Sequence, residues 1–319
     1  MAALLLLLLA TTSVSATQFN SLYAFGDSLS DIGSNPSAIL SIYSILGGNC
    51  DPSHPCPPYF DGRFSNGPVA SEYLADSILP GGGQPANYFS FSVAGSTTGI
   101  GNTGDGGTAS SVGSSGLPGM AQQLALYRST AGAADPNALY VVWGGANDFL
   151  TSDSPVSAAQ NIASYVGGLA SIDAAHILVP NLPDLSLTPY IQMNPALIPI
   201  AQFFSLAFNA ELAAQLDAVS ALFPVTEIIE YDIFSLFNEV VADPSAYGFT
   251  NVTEGCLRVT SCSNPDAFLF LDDFHPTTRG HAVVASALSE AVPVPAPLAL
   301  VLLGMAGIGL KVHRQTLPE

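Results

Sequence analysis

The chain has 319 residues and a formal net charge of −19, because 25 acidic side chains face only 6 basic ones. Hydrophobic residues make up 48% of the chain and charged residues 10%, a composition that can bury one large core and excludes a predominantly disordered protein. So few Lys and Arg side chains also argue against a nucleic-acid partner, whose phosphates would need cations to bind.

The first 16 residues have the pattern of a secretory signal peptide. A run of leucines is followed by small residues that end at Ala16, where a signal peptidase would cleave. The pattern lacks the usual basic residue before the apolar run. A buried core helix is the alternative, but six consecutive leucines leave it no polar face. We therefore predict export, with residues 17–291 as the mature domain.

Strand-like and helix-like segments alternate through the interior of the chain. Apolar runs that predict strands end just before Gly26, Gly95, Gly144, Asn181 and Asp232, and segments of helical period lie between and after them. This alternation predicts an α/β fold, a three-layer α/β/α sandwich around a central parallel sheet. Ligands bind such sheets at the carboxyl ends of the strands.

Three polar motifs follow predicted strands and would therefore meet at one edge of the sheet. They contain Ser28 in "FGDSLSDIGSN", Gly95 in "VAGSTTG" and Asn147 in "WGGANDF". Taken alone, Ser28 could simply cap a following helix and Asn147 could be an ordinary turn residue. The Gly/Ser-rich residues 99–119 predict a long flexible loop beside this edge, either a mobile cover for a substrate or a tolerated insertion.

Near the end of the domain, "LDDFHPTTRGH" places Asp272 three residues before His275. At this spacing the carboxylate can accept a hydrogen bond from one imidazole nitrogen and leave the other free to take a proton from a serine. The backbone N–H groups of Ser28 and Gly95 and the amide of Asn147 would then stabilise a developing oxyanion.

The same acidic stretch could instead bind a metal through Asp272, Asp273 and His275. His281 is the only further histidine nearby and lies on a predicted helix, so the ligand set is poor. We expect no metal and no organic cofactor, with Asp273 as a solvated neighbour. His54, His176 and His281 have no catalytic context and are interpreted as structural or surface residues.

The four cysteines form two close pairs, Cys50 with Cys56 and Cys256 with Cys262. In an oxidising compartment disulfides are the default, and of the three possible connectivities we favour local pairing. Zinc is the alternative, but only His54 lies within either pair.

In so acidic a chain, we expect Arg63 to form a structural ion pair.

Together these motifs identify the chain as a member of the GDSL, or SGNH, hydrolase family, which it resembles over about residues 21–291. The resemblance implies a flavodoxin-like SGNH fold and assigns roles to the motif residues. The nucleophile would be Ser28, the remaining triad members Asp272 and His275, and the oxyanion donors Ser28, Gly95 and Asn147. Other blocks, such as "DGRFSNGPVASEYLA", resemble the branch of bacterial phospholipases, haemolysins and plant GDSL lipases.

The resemblance to this branch favours lipid or simple acyl esters as substrates, and we expect an exported hydrolase that acts as a monomer. A carbohydrate O-deacetylase and a non-catalytic surface or matrix binding protein on the same scaffold are the alternatives. One departure from the branch pattern lies in the first motif: Ser34 stands where an asparagine is usual, and we expect the adjacent Asn35 to take its place.

Residues 292–319 form a tail with a Pro-rich entry, an apolar segment at 298–310 and a basic cluster of Lys311, His313 and Arg314. The tail resembles the PEP-CTERM sorting signals of Gram-negative bacteria, which a membrane exosortase recognises, although Val294 replaces the glutamate of the motif. The resemblance implies a periplasmic, cell-surface or extracellular protein. Simple membrane anchoring by the tail is the alternative.

Overall fold

The computed structural model describes residues 19–260 and 262–293. Residues Phe19–Val292 pack as one unit. The predicted signal peptide and nearly all of the predicted sorting tail lie outside the described residues.

A parallel sheet forms the centre of the fold, with the strand order β2-β1-β3-β4-β5 among the described residues. The strands are β1 (Ser21–Gly26), β2 (Tyr88–Ser90), β3 (Ala138–Trp143), β4 (His176–Pro180) and β5 (Glu227–Tyr231). Every residue of β3 is buried, as expected of a strand covered on both faces. The predicted α/β class with a central parallel sheet is confirmed, and each of these strands overlaps a predicted one.

Two groups of helices pack beside the sheet. The helices are α1 (Ile42–Ile45), α2 (Ala70–Ile78), α3 (Met120–Ala131), α4 (Ala146–Leu150), α5 (Pro155–Ala170), α6 (Pro189–Gln192), α7 (Ile198–Leu222), α8 (Ile233–Ala242) and α9 (Thr278–Ala291). Helix α5 packs against α3 and α7, whereas α2 packs against α9.

An extensive apolar core lies between the sheet and the α3, α5 and α7 group. Phe25, Tyr140 and Ile177 project from neighbouring strands into this core and are fully buried, together with Ile162 of α5 and Phe208 of α7. Side chains alternate between the two faces of a strand, so the intervening strand residues face the opposite layer. This double burial produces the nearly continuous apolar runs seen in the sequence.

The structure adds a small second sheet that the sequence did not predict. Strands β6 (Asn251–Gly255) and β7 (Phe268–Phe270) pair in parallel. Strand β7 has only three residues, and β6 is largely polar, so neither shows a clear period. This small sheet nevertheless matters for function, because β7 ends two residues before Asp272.

The bend after β1 also differs from expectation. No α-helix starts at Ser28; residues 28–30 form turns, and the next helix begins at Ile42. The helix-capping interpretation of Ser28 is therefore wrong. Helix α9, which follows the candidate residues Asp272 and His275, begins at Thr278 and has Thr277 as its N-cap.

Two disulfides close short loops in the described part of the chain. The structure joins Cys50 to Cys56 and Cys256 to Cys262, which confirms the local pairing.

Arg63 forms the expected structural ion pair, and its partner is Glu72. Arg63 Nε and Nη2 donate to the two Glu72 oxygens at 2.8 and 2.7 Å, with both residues buried. Asn35 donates to the same carboxylate at 2.7 Å, so the bend after β1 is tied to α2. The adjacent Ser34 donates only its backbone N–H, to Asp61.

Candidate active site

Three side chains from opposite ends of the chain form a hydrogen-bonded relay. The Oγ of Ser28 lies 2.9 Å from His275 Nε2, and His275 Nδ1 lies 2.8 Å from Asp272 Oδ2. Ser28 follows the carboxyl end of β1, whereas Asp272 and His275 follow β7. The structure therefore brings together the three residues that the sequence predicted as a triad.

The Asp272 carboxylate is held by donors on both oxygens. Its Oδ1 accepts the backbone N–H groups of Phe274 and His275 at 2.8 and 2.7 Å, and Oδ2 accepts the Tyr59 hydroxyl at 2.7 Å. Tyr59 was not singled out by sequence reasoning. It precedes the "GRFSNG" block, and nothing in that local pattern indicates a partner 213 residues away.

The surroundings of Asp272 and His275 shift the pKa values of the two groups in opposite directions. Burial alone would lower the pKa of His275, but the Asp272 charge and hydrogen bond outweigh it and raise the pKa above its usual value. Burial likewise works against ionisation of Asp272, yet His275 and the backbone donors lower the pKa of this carboxyl well below its ordinary range. The carboxylate is therefore charged and the imidazole is made more basic.

The predicted oxyanion donors line the same cavity as Ser28. Asn147 Nδ2 donates one hydrogen to the Ser96 carbonyl at 3.0 Å, which fixes the amide and leaves its second hydrogen available. The backbone N–H groups of Ser28 and Gly95 have no acceptor among the residues the structure describes. A site with several free donors beside a nucleophile is suited to bind an oxyanion.

Gly95 can only be glycine in this arrangement. Its φ is +78°, and a Cβ at this position would collide with the Asn102 side chain. The neighbouring loop fixes its backbone, because Thr103 N–H donates to the Gly95 carbonyl and Asn102 Nδ2 donates to the Ala94 carbonyl, both at 2.8 Å. Asn102 thus holds the backbone next to Gly95, a predicted oxyanion donor. Sequence reasoning missed this role of Asn102.

Side-chain carboxylates accept hydrogen bonds from the backbone of the Gly/Ser-rich residues 99–119. Asp105 Oδ2 accepts the N–H groups of Ser115 and Leu117 at 3.0 and 2.9 Å. Ala109 N–H donates to Asp153 at 2.8 Å. Side-chain carboxylates thus satisfy backbone donors of this segment, and its flexibility stays a prediction.

Several buried carboxyls support the edge of the sheet without joining the relay. Asp27 accepts the Leu29 N–H at 3.0 Å and so secures the turn that carries Ser28. Asp148 accepts the Thr98 N–H and hydroxyl at 2.9 and 2.6 Å. Burial raises the pKa of Asp27 to about 6 and that of Asp148 to about 7.

The relay opens into a cavity of about 620 Å³ with a mainly apolar lining. Its apolar side chains include Leu29, Ile42, Leu46, Phe64, Leu117, Phe149, Leu150, Leu185, Ile191, Phe237 and Phe274. A volume of this size is typical of a small-molecule site. The apolar lining would accommodate a hydrocarbon chain next to the Ser28 hydroxyl.

His54 also lies in this cavity, which corrects its interpretation as a structural or surface residue. It sits in the loop closed by Cys50 and Cys56, and its ring centroid lies 5.7 Å from that of His275. Burial and the nearby His275 both lower the pKa of His54. His176 and His281 lie away from the cavity lining, with His281 fully buried.

The alternative metal site does not form as the sequence suggested. Asp273 makes an ion pair with Arg258 instead of standing as a solvated neighbour. The potential ligand atoms of His54, Asp272 and His275 do lie within 4.8 Å of one another. However, Asp272 and His275 are already hydrogen-bonded to each other, and His275 to Ser28, as a proton relay requires.

Sequence comparison with known families agrees with this geometry. The profile of the GDSL-like lipase/acylhydrolase family matches residues 22–288. The chain belongs to this family. Its members are carboxylic ester hydrolases, so the family accounts for a serine, a histidine and a carboxylate at the mouth of an apolar cavity.

Several known proteins are similar to this chain over different fractions of their own length. An uncharacterised protein from the trpE-trpG intergenic region of Pseudomonas putida is 30% identical over 322 residues, 94% of this chain and 52% of that protein. Esterase EstA of Pseudomonas aeruginosa is 33% identical over 187 residues, 52% of this chain and 28% of EstA. The chain therefore spans about half or less of these two proteins. A GDSL esterase/lipase of Arabidopsis thaliana is 25% identical over 89% of this chain and 95% of its own length.

Solved structures with a similar fold are more distant. A lipolytic G-D-S-L family protein from Veillonella parvula has a TM-score of 0.44 at 14% identity, covering 85% of this chain and 96% of its own. Est24, a carbohydrate acetylesterase from Sinorhizobium meliloti, also has a TM-score of 0.44 at 14% identity, covering 86% and 98%.

Proposed function

We propose that this GDSL-family protein is an exported serine hydrolase that cleaves carboxylic esters of lipids or simple acyl compounds. The observation that carries the proposal is the continuous relay from Ser28 Oγ through His275 to Asp272, with both distances below 3 Å. This geometry is what a serine needs to lose its proton during attack on a carbonyl.

In the proposed reaction, Ser28 Oγ attacks the ester carbonyl while His275 Nε2 takes the hydroxyl proton. The Asp272 carboxylate holds the imidazole and stabilises the imidazolium that forms. His275 then returns the proton to the leaving alcohol, which leaves an acyl group on Ser28. Water, deprotonated by the same imidazole, hydrolyses this acyl-enzyme and releases the acid.

The negative charge that develops on the carbonyl oxygen would be stabilised by the N–H groups of Ser28 and Gly95 and the amide of Asn147. These donors are fixed before the substrate arrives, because Asn147 is anchored on Ser96 and Gly95 on its loop. Preorganised donors need no reorientation when the charge appears, which is why they lower the barrier.

The lining of the cavity favours acyl esters over acetylated carbohydrates. Phenylalanine, leucine and isoleucine side chains supply much of the lining, whereas a sugar would need many polar partners to replace its hydration. The complete relay also argues against a purely non-catalytic binding protein. A purified chain that binds a polysaccharide and turns over no acyl ester would favour that alternative instead.

Export is supported by the leucine-rich N-terminus and by the two disulfides, which persist in oxidising compartments. We place the mature chain in the periplasm, at the cell surface or outside a Gram-negative cell, and assign the tail at residues 292–319 to sorting or anchoring. Intact mass of the protein recovered outside the cytoplasm would test both ends. A chain that retains residues 1–16 there would contradict the predicted cleavage.

The catalytic assignment is tested with a fluorophosphonate probe, which reacts with activated serines. We expect one labelled serine, Ser28 by peptide mapping, and loss of both labelling and ester turnover in Ser28→Ala. Ser30→Ala serves as the matched control, since Ser30 lies in the same turn without contacting His275. Labelling or turnover that persists in Ser28→Ala would overturn the assignment.

A further inference from the structure

An uncharged stretch of chain borders the mouth of the cavity. Between Asp184 and Glu211 the sequence contains no Asp, Glu, Lys, Arg or His, although the chain as a whole carries a net charge of −19. This stretch forms α6 and the first half of α7. The surface that this stretch contributes therefore carries no charged side chain.

The outer side of α7 exposes large apolar side chains in this stretch. Ile200, Phe203 and Leu206 are 55%, 67% and 51% exposed, and their spacing of three places them along one side of the helix. We call these three residues the α7 face. The opposite side of the helix is filled by Phe204 and Phe208, which are buried in the core. The α7 face is therefore not needed for the core of this unit.

Helix α7 contacts the cavity lining through α4. Phe204 packs edge-on against Phe149 with ring centroids 5.5 Å apart, and Phe149 lines the cavity. The next residue, Leu150, both lines the cavity and is exposed to solvent. Apolar side chains thus connect the site beside Ser28 with the buried side of α7. On the exposed side, Gln202 lies one turn before Leu206 and donates to the cavity residue Asp184 at 3.2 Å.

A cavity-lining residue is also followed by an exposed apolar residue at α6. Ile191 is buried and lines the cavity, and Met193, two residues later, is exposed. The cavity wall therefore passes into exposed apolar surface at two places, at the end of α4 and just after α6. Such a patch next to a binding cavity marks an interaction site more strongly than scattered exposed residues would.

We propose that the α7 face docks on the surface of a neutral or zwitterionic lipid assembly and so holds the cavity mouth against the layer that contains the ester. The delivery of ester to Ser28 rests on the proposed function, whereas the docking itself does not. Transfer of Ile200, Phe203 and Leu206 from water into the acyl boundary is favourable. The net charge of −19 disfavours an anionic surface.

A second copy of the chain is the competing occupant, and charge argues against it. Pairing two copies through this face would bring two strongly acidic molecules together and would cover Leu150 at the cavity mouth. A neutral lipid surface meets no such repulsion and supplies a substrate at the covered mouth.

Insertion of the α7 face into a lipid layer is measured with Phe203→Trp. The variant is made in a Ser28→Ala background, which prevents hydrolysis during the experiment. The chain has a single native tryptophan, Trp143, and it is buried. The probe is phosphatidylcholine vesicles that contain brominated acyl chains. We expect quenching of the new tryptophan, with weaker quenching on phosphatidylglycerol vesicles at low salt. The readout is local, so membrane binding by either end of the full chain does not produce it.

The matched control is Leu222→Trp in the same background. Leu222 is 75% exposed but lies at the opposite end of α7. We expect no quenching there beyond the Trp143 background. Equal quenching at both positions, or none at position 203, would overturn the proposal.

Turnover supplies a second measurement. In Ile200→Gln/Phe203→Gln we expect hydrolysis of a soluble short-chain ester to stay at the wild-type rate, and hydrolysis of an acyl ester in phosphatidylcholine vesicles to fall about tenfold or more. Leu222→Gln should leave both rates unchanged. Equal losses on both substrates, or a dimer that dissociates in the double variant, would overturn the proposal. If wild-type chain hydrolyses no ester, the proposed function fails while the quenching experiment still decides the docking.

Discussion

The hydroxyl of Tyr59 donates to the same Asp272 oxygen that binds the His275 imidazole. Tyr59 Oη lies 2.7 Å and His275 Nδ1 2.8 Å from Asp272 Oδ2. Two donors therefore share the negative charge of one oxygen. Burial and the Asp272 charge raise the pKa of Tyr59 above its usual value, so the phenol stays protonated and remains a donor across the working pH range.

Removing this donor should change the basicity of the relay. In Tyr59→Phe the Asp272 charge is less stabilised by hydrogen bonding and interacts more strongly with His275, so the imidazole pKa rises and the acidic limb of kcat/KM moves to higher pH. A hydrogen bond to a charged group contributes roughly 1.5–3 kcal/mol, and we expect kcat/KM near neutral pH to fall about tenfold if part of this is transmitted to the transition state.

The control for this variant is Tyr73→Phe. The Tyr73 hydroxyl also makes a 2.7 Å hydrogen bond, but to Thr278 in α9 and not to Asp272. This change should leave the pH profile in place. A Tyr59→Phe enzyme whose kcat/KM falls without any shift of the acidic limb would show a merely structural role for the hydroxyl.

The pH dependence of wild-type activity follows from the raised pKa of His275. His275 must be neutral to accept the Ser28 proton, so activity is lost as the pH falls through its pKa. Because Asp272 raises that pKa above 6.5, the midpoint of the acidic limb in kcat/KM should lie above 6.5. In Asp272→Asn the limb should shift to lower pH and kcat should fall about 10⁴-fold. An unshifted limb in Asp272→Asn would contradict the assigned relay.

Asn147 should act mainly on the transition state. Asn147→Ala removes the one side-chain donor of the proposed oxyanion hole, and loss of such a donor lowers kcat by about 10²–10³ with a small effect on KM. Asn161→Ala is the control, because Asn161 donates to Thr98 behind the site at 3.0 Å. An increase in KM at unchanged kcat for Asn147→Ala would assign the residue to ground-state binding instead.

The buried pair of Arg63 and Glu72 should be important for stability. In Glu72→Ala the Arg63 guanidinium loses its partner while it remains buried, which costs about 3–5 kcal/mol. Asn35 and the Val69 N–H also lose their acceptor. Denaturant unfolding would measure the change in the free energy of unfolding. Breaking the exposed pair by Arg258→Ala should have a much smaller effect, and similar losses in both variants would contradict this account.

Much of the fold could be predicted from the sequence because the core imposes simple patterns. The strand of Ala138–Trp143 is buried on both faces and is apolar at nearly every position, so its pattern is unambiguous. The small sheet at Asn251–Gly255 and Phe268–Phe270 was missed because its strands are short and partly exposed. The bend after Ser28 has Ser and Asp residues that suit a helix cap as well as a turn, and only packing selects the turn.

The sequence by itself determined the α/β class, because buried strands and amphipathic helices have distinct apolar patterns, and its short motifs predicted Ser28, Gly95, Asn147, Asp272 and His275 as the candidate site. Only the tertiary structure decided which other groups meet them. Tyr59 reaches Asp272 and His54 enters the cavity because the segment around Cys50–Cys56 folds back over the relay. Contacts between residues so far apart in the chain arise from the packing of whole segments, and no local pattern records that packing.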